Sequence, residues 1–197
     1  MPNPVRAQWS HGRQPPPEIP PAFCCWAAGG GLIGWEWQLE FQTMAHIHEK
    51  IDFTVAIFVV HAGKVLLIHH RKLGKWLPLG GHIELDEDPE QAALREAREE
   101  SGLDVELLGE RPPTTSPGTR ALIAPRFLDI HRINDTHEHI GMIYWARPRQ
   151  GTLTLATEEH LDIRWCAPAE FATLQPPMSP AVTWYCEQAI AEISRQP

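Results

Sequence analysis

Apolar runs of strand character begin at Ile51. Asp52-Phe53-Thr54-Val55-Ala56-Ile57-Phe58-Val59-Val60, then Gly63, then Lys64-Val65-Leu66-Leu67-Ile68 read as two β-rich segments about a short turn, a hairpin. The period then changes. Asp88 suits a helix N-cap, with Pro89 at the first helical position, Gln91 three residues on and Gly102 as the stop, which predicts a helix of about three and a half turns. Val105 to Leu108 reads as a strand, and Arg111-Pro112-Pro113 through Gly118 as a loop expected to rim the site that the helix builds. Ile123 to His131 and His139 to Ala146 read as two strands expected to pair through the turn residues Arg132 to Thr136. A last strand covers Ile163 to Cys166, and Pro168 to Leu174 forms a short helix. Ser179 and Pro180 then open a final helix, whose Val182, Tyr185, Cys186, Ala189, Ile190 and Ile193 make one apolar stripe. Strands interleaved with two substantial helices predict an α/β (α+β) domain, a mixed β-sheet with helices on both faces.

Composition sets the first 43 residues apart. They hold seven of the nineteen prolines and four of the eight tryptophans but no sustained period, so residues 1–43 read as a poorly ordered extension and 44–197 as the folded domain, with Met44 a natural start. The uncharged run from Ile19 to Trp35 is broken by prolines and by Gly29-Gly30-Gly31, which makes a poor signal-peptide core. No later segment reaches the eighteen or more apolar residues that span a membrane. A formal charge of −8 argues against strong nucleic-acid binding, yet leaves room for a small anionic nucleotide held through a metal and a few local cations. Cys24, Cys25, Cys166 and Cys186 make a poor disulfide framework, and a reducing cytoplasm is expected. Pairing as a homodimer is left open.

Charge on the first helix changes the picture most. At about 100° per residue, Glu96, Glu99 and Glu100 fall within an arc of roughly 100°, beside the short side chains of Ala92, Ala93 and Ala97. The plain reading is a solvated acidic face. The alternative is three carboxylates on one uncrowded face with a cation between them, and hard oxygen ligands favour Mg²⁺ or Mn²⁺. Arg95, placed to pair with Glu99 or back to Glu87, reads as a structural strut.

The spacing decides between them. Gly81, five residues, Glu87, seven residues, then Arg95, Glu96, Ala97, one residue, Glu99, Glu100, one residue, Gly102 and Leu103 resembles the MutT-like box of the Nudix hydrolases at every specified position. Trp76 to Glu84 resembles the family's approach to its box, and Arg164-Trp165 with Ala169-Glu170-Phe171 its closing strand and short helix. The resemblance covers roughly Met44 to Ile193 and implies the Nudix α/β/α sandwich. It also implies Mg²⁺ held by Glu96, Glu99, Glu100 and the Gly80 carbonyl, with Gly81, Glu87, Arg95 and Gly102 structural in the box.

Beyond the box the candidates are weaker. By resemblance a basic residue at the end of the second strand, Arg71 with Lys72 beside it, contacts substrate phosphate; a solvated basic turn is the equal alternative. Glu96 is the in-box candidate for the general base. Some Nudix enzymes use a carboxylate outside the box, which makes Glu138, Glu158 and Glu159 candidates without choosing among them. His137 and His139 fall on one side of a strand, but a third metal ligand of fixed spacing is missing, so they read as satisfied or exposed histidines.

The expected activity is Mg²⁺-dependent hydrolysis of a pyrophosphate bond in a nucleoside diphosphate linked to a further group: a nucleoside triphosphate, an oxidised nucleotide or a nucleotide sugar. An RNA-end pyrophosphohydrolase would need a larger basic surface than Arg71, Lys72 and Lys75 supply. A non-catalytic nucleotide-sensing module would be favoured by an altered box, and every box carboxylate is present.

Overall fold

The computed structural model describes residues 47–113 and 116–195, so the expectations for residues 1–43 and for a domain start at Met44 lie outside the described residues. The sheet is organised on β1 (Ile51–His61). One edge of β1 runs parallel to β7 (His137–Gly151), from Ile51 opposite Glu138 to Val59 opposite Ala146. Its other edge is shared between β4 (Leu79–His82), antiparallel with Ala56 opposite Gly80, and the start of β2 (Lys64–His70), which meets it only at Val60 and His61. The expected hairpin therefore closes at its turn and then splays.

β2 carries β3 (Lys75–Leu77) on one side and β8 (His160–Cys166) on the other. β7 pairs antiparallel with β5 (Leu103–Leu108) and with β6 (Phe127–Asn134). The β6–β7 pairing is the one read from the sequence. Its first strand starts at Phe127, because the residues before it are drawn toward the first helix, where the Ile123 amide donates to the Glu90 carboxylate.

Both faces of the sheet are covered, so β1 is almost continuously apolar and does not simply alternate. Val55, Ile57 and Val59 pack under α1 (Pro89–Ser101) with Ala92, Ala93, Ala97 and Tyr144. Phe58 and Val60 pack on the other face with Trp145 and with Cys186, Ala189 and Ile193 of α2 (Pro180–Ile193). The result is the layered α/β/α arrangement expected. A 3₁₀ turn over Pro168–Thr173 stands where the short helix was predicted.

The ends of α1 follow local chemistry. The Asp88 carboxylate accepts from the Glu90 and Gln91 amides, the Gln91 side chain accepts from the Asp88 amide, and Gly102 takes the left-handed conformation at φ 71°. The loop after β5 departs from expectation. Arg111 and Arg120 reach the Glu90 and Asp88 carboxylates, which ties the loop to the start of α1. Glu96 lies six residues on, about 9 Å along the axis and on another side of the helix. Through its described residues the loop braces the helix at that end, away from Glu96.

Candidate active site

Two glycines let β4 lie close, Gly80 against β1 and Gly81 against α1. A Cβ on Gly80, where φ is 146°, would run into the Val55 carbonyl oxygen, and a Cβ on Gly81 would lie 2.7 Å from the Glu96 carboxylate carbon. This contact corrects the expectation of an uncrowded carboxylate face. The helix does place Glu96, Glu99 and Glu100 in one arc, but their side chains are 13 %, 60 % and 5 % exposed, because β4 presses on the first and last of them.

Glu100 is the deepest. Its Oε2 accepts from the Gly80 amide at 2.8 Å, and its Oε1 lies 3.0 Å from Nε2 of His160, a fully buried residue at the start of β8, though the approach is poorly aligned for a hydrogen bond. Burial pushes the Glu100 carboxyl above its ordinary range, opposed by His160 and the Gly80 amide. Glu96 is held at about 7, chiefly by burial and then by repulsion from Glu100, with the Arg95 hydrogen bond opposing.

Arg95 occupies the centre of this corner. Its Nε and Nη2 grip both oxygens of Glu87 at 3.0 and 2.6 Å, Nη1 donates to Glu96 at 2.8 Å and Glu99 at 3.1 Å, and Nη2 also donates to the His82 carbonyl at 3.1 Å. These carboxylates hold the guanidinium well above its ordinary pKa. One side chain thus links the loop before α1, the strand β4 and two box carboxylates.

The other candidates separate by position. Glu159 is brought to the box: it, Glu100 and His160 each offer a ligand atom within 4.8 Å of the others. Glu158 is its exposed neighbour. Glu138 is exposed at the start of β7 opposite Ile51, five strand residues or about 17 Å from the level of Gly80. Arg71 donates from Nη2 to the Thr157 carbonyl at 2.8 Å and toward the His160 carbonyl at 3.4 Å, and its amide bonds the Glu159 carbonyl at 2.8 Å, so it clasps the loop that carries Glu159. Lys72 is exposed in the turn beside it, and Gly102 ends the helix. The sequence reading left His160 without a role. Its contact with Glu100 spans sixty residues of chain, and no local pattern announces it.

A family model of the NUDIX domain matches residues 50–185. The chain belongs to the Nudix hydrolases. It is 30% identical over 138 residues to a CTP pyrophosphohydrolase of Escherichia coli (strain K12), a match covering 67% of this chain and 86% of that relative. A NUDIX-family hydrolase from Clostridium perfringens superposes with a TM-score of 0.63 at 31% identity, over 72% of this chain and 97% of that one. A MutT NUDIX hydrolase from Burkholderia pseudomallei, at 22% identity and a TM-score of 0.54 over 71% and 98%, shares the fold. Nudix hydrolases generally use divalent metal ions, and the donors here fit one: buried carboxylate oxygens whose pKa values are raised chiefly by burial, a penalty that a cation among them would offset.

Proposed function

We propose that this Nudix hydrolase cleaves a phosphoanhydride bond in a small nucleotide, a nucleoside diphosphate linked to a further group. The observation that carries the reading is the Glu96 and Glu100 pair, two carboxylates enclosed between α1 and β4 with their pKa values raised. With Glu99 and the Gly80 carbonyl they form a hard-oxygen donor set for Mg²⁺ or Mn²⁺. When bound, such an ion neutralises phosphate charge and lowers the pKa of the attacking water.

The chain's own residues supply positioning and proton transfer. Arg95 orients Glu96 and Glu99, while the Gly80 amide and His160 hold Glu100. Water attacks phosphorus, the anhydride P–O bond breaks, and the water's proton passes to a carboxylate. Glu159 is the better-placed base, because it stands beside Glu100 and, among the described residues, no arginine holds its side chain; Glu96 is the alternative within the box. Arg71, which spends only Nη2 on the carbonyls it clasps, and Lys72 border the same loop and suit the phosphate tail.

Similarity to a CTP pyrophosphohydrolase puts pyrimidine nucleoside triphosphates first among substrates, before oxidised nucleotides and nucleotide sugars. Among the described residues no helix is long and apolar enough to cross a membrane. The free buried thiols of Cys166 and Cys186 suit the reducing cytoplasm. The test is turnover of nucleoside triphosphates, oxidised nucleotides, nucleotide sugars and capped RNA by the purified chain with Mg²⁺ or Mn²⁺. We expect a triphosphate to yield monophosphate and pyrophosphate; turnover of capped RNA alone, or of nothing, overturns the reading.

A further inference from the structure

On the sheet face away from α1, three strands bring together a carboxylate and three imidazoles that the hydrolase site does not use. In β1, Val55 and Ile57 face α1, so Asp52 faces the other way. In β7, Ile143 and Trp145 belong to the α2 side, and His137 and His139 share their parity. In β4, Leu79 and Gly81 face α1, which turns His82 to the same side as Asp52. The pairing Asp52 opposite His139 and Thr54 opposite His82 then gathers all four side chains at the end of β1.

We propose that Asp52, His82, His137 and His139 form a second metal centre, built for a borderline divalent ion such as Zn²⁺ and distinct from the oxygen-only site on α1. Asp52 Oδ2 lies 3.1 Å from His137 Nε2 and 3.3 Å from His82 Nε2. Around a tetrahedral ion with bonds of about 2.0–2.2 Å, ligand atoms stand roughly 3.3–3.6 Å apart. Asp52, His137 and His139 each place a ligand atom within 4.8 Å of the other two, and all three residues are buried. The His139 ring lies 4.8 Å from that of His82 and 5.2 Å from that of His137, so a small rotation brings it in.

The surrounding contacts fit the same purpose. His137 Nδ1 lies 3.3 Å from the Glu49 carbonyl, which favours the N–H on Nδ1 and presents Nε2 to the cluster. The His48 amide donates to Asp52 Oδ1 at 2.7 Å, which leaves Oδ2 turned toward the imidazoles. The 3.1 Å hydrogen bond between His137 Nε2 and Asp52 Oδ2 holds the two ligand atoms together, and an ion would take the place of the proton they share. Three nitrogens and one oxygen select Zn²⁺ or Co²⁺ over Mg²⁺. Because His82 follows Gly80 and Gly81 directly, an ion here would pin β4, and with it the floor of the hydrolase site, to β1 and β7.

The test is Co²⁺ titration of the full chain in saturating Mg²⁺, followed by visible absorption and by displacement with Zn²⁺. We expect one equivalent of Co²⁺ with a four-coordinate spectrum, bleached by Zn²⁺, and a Zn²⁺-dependent rise in Tm. Loss of even an outer partner of a metal ligand weakens binding roughly 10–100-fold, so His137→Gln and His139→Gln should each weaken it at least about a hundredfold. Glu100→Gln should leave it intact, and the partly exposed His82→Gln guards against a variant that fails to fold. Absence of Co²⁺ binding, binding lost in Glu100→Gln, or binding retained in all three histidine variants overturns the proposal.

Discussion

Gly81 lies so close to Glu96 that a single added methyl would sit 2.7 Å from the carboxylate carbon. Gly81→Ala should therefore displace the carboxylate and leave the fold largely intact. A misplacement near 1 Å lowers turnover about a hundredfold, so kcat should fall by that order with Mg²⁺ affinity, while Tm changes little. Gly80→Ala should behave in the opposite way. There the new atom meets the Val55 backbone at a positive φ, and thermal unfolding should show a loss of roughly 2–5 kcal/mol. Equal stability loss in both variants would show that the two glycines serve packing alone.

Much of this corner was legible in the chain and part was not. Asp88, Pro89, Gln91 and Gly102 announce α1 because capping chemistry is local, and the spacing from Gly81 to Gly102 carries the family. β3 and β4 were not read as strands, since Pro78, Gly80 and Gly81 are poor strand formers and only pairing with β2 and β1 makes them so. The burial of Glu100 is equally hidden, because it depends on β4 and β8. His160 and Asp52 meet their partners across the fold, at separations no sequence window spans. Nor could the chain show that Arg71 clasps the Glu159 loop.

Arg95→Lys keeps a positive charge but loses the planar fork that holds both oxygens of Glu87 and reaches Glu96 and Glu99. Stability should fall by about 1–2 kcal/mol, together with metal affinity, in thermal melts and Mg²⁺ titrations. If Tm is unchanged and only KM rises, Arg95 contacts substrate and is no strut.

The raised pKa of Glu96 has a definite consequence for metal-free protein. Its folded value of about 7 exceeds the 4.5 of the unfolded chain, so the folded state holds the proton more tightly. Its stabilising contribution is complete below pH 4.5 and lost as pH rises through about 7, a change of roughly 3 kcal/mol at 1.36 kcal/mol per unit. His139, lowered to about 4 by burial and by neighbouring histidines, acts oppositely over much of the same window, so the wild-type curve alone is not diagnostic. The difference between wild type and Glu96→Gln isolates the term. In urea unfolding with chelator, that difference should shrink steadily from pH 4.5 to 7; a flat difference would mean Glu96 titrates normally. Mg²⁺ affinity of the wild type should rise over the same interval.

Metal ligand and general base separate by their response to saturating metal. Glu100→Gln removes a charge next to the Gly80 amide and His160, and Glu99→Gln removes the outermost charge of the cluster. Both should weaken Mg²⁺ binding and cut turnover, Glu100→Gln by more than about a thousandfold and Glu99→Gln by less, with partial rescue in excess metal. A lost base behaves otherwise: Glu159→Gln should bind Mg²⁺ nearly normally and stay slow at saturation, with the acidic limb of its pH profile altered. Glu138→Gln and Glu158→Gln should stay close to wild type, since neither belongs to the group that Glu159 forms with Glu100 and His160. If Glu96→Gln alone shows the base behaviour, proton transfer is complete within the box and Glu159 is a bystander. Near-normal turnover in both Glu99→Gln and Glu100→Gln would remove the carboxylate cluster from the mechanism altogether.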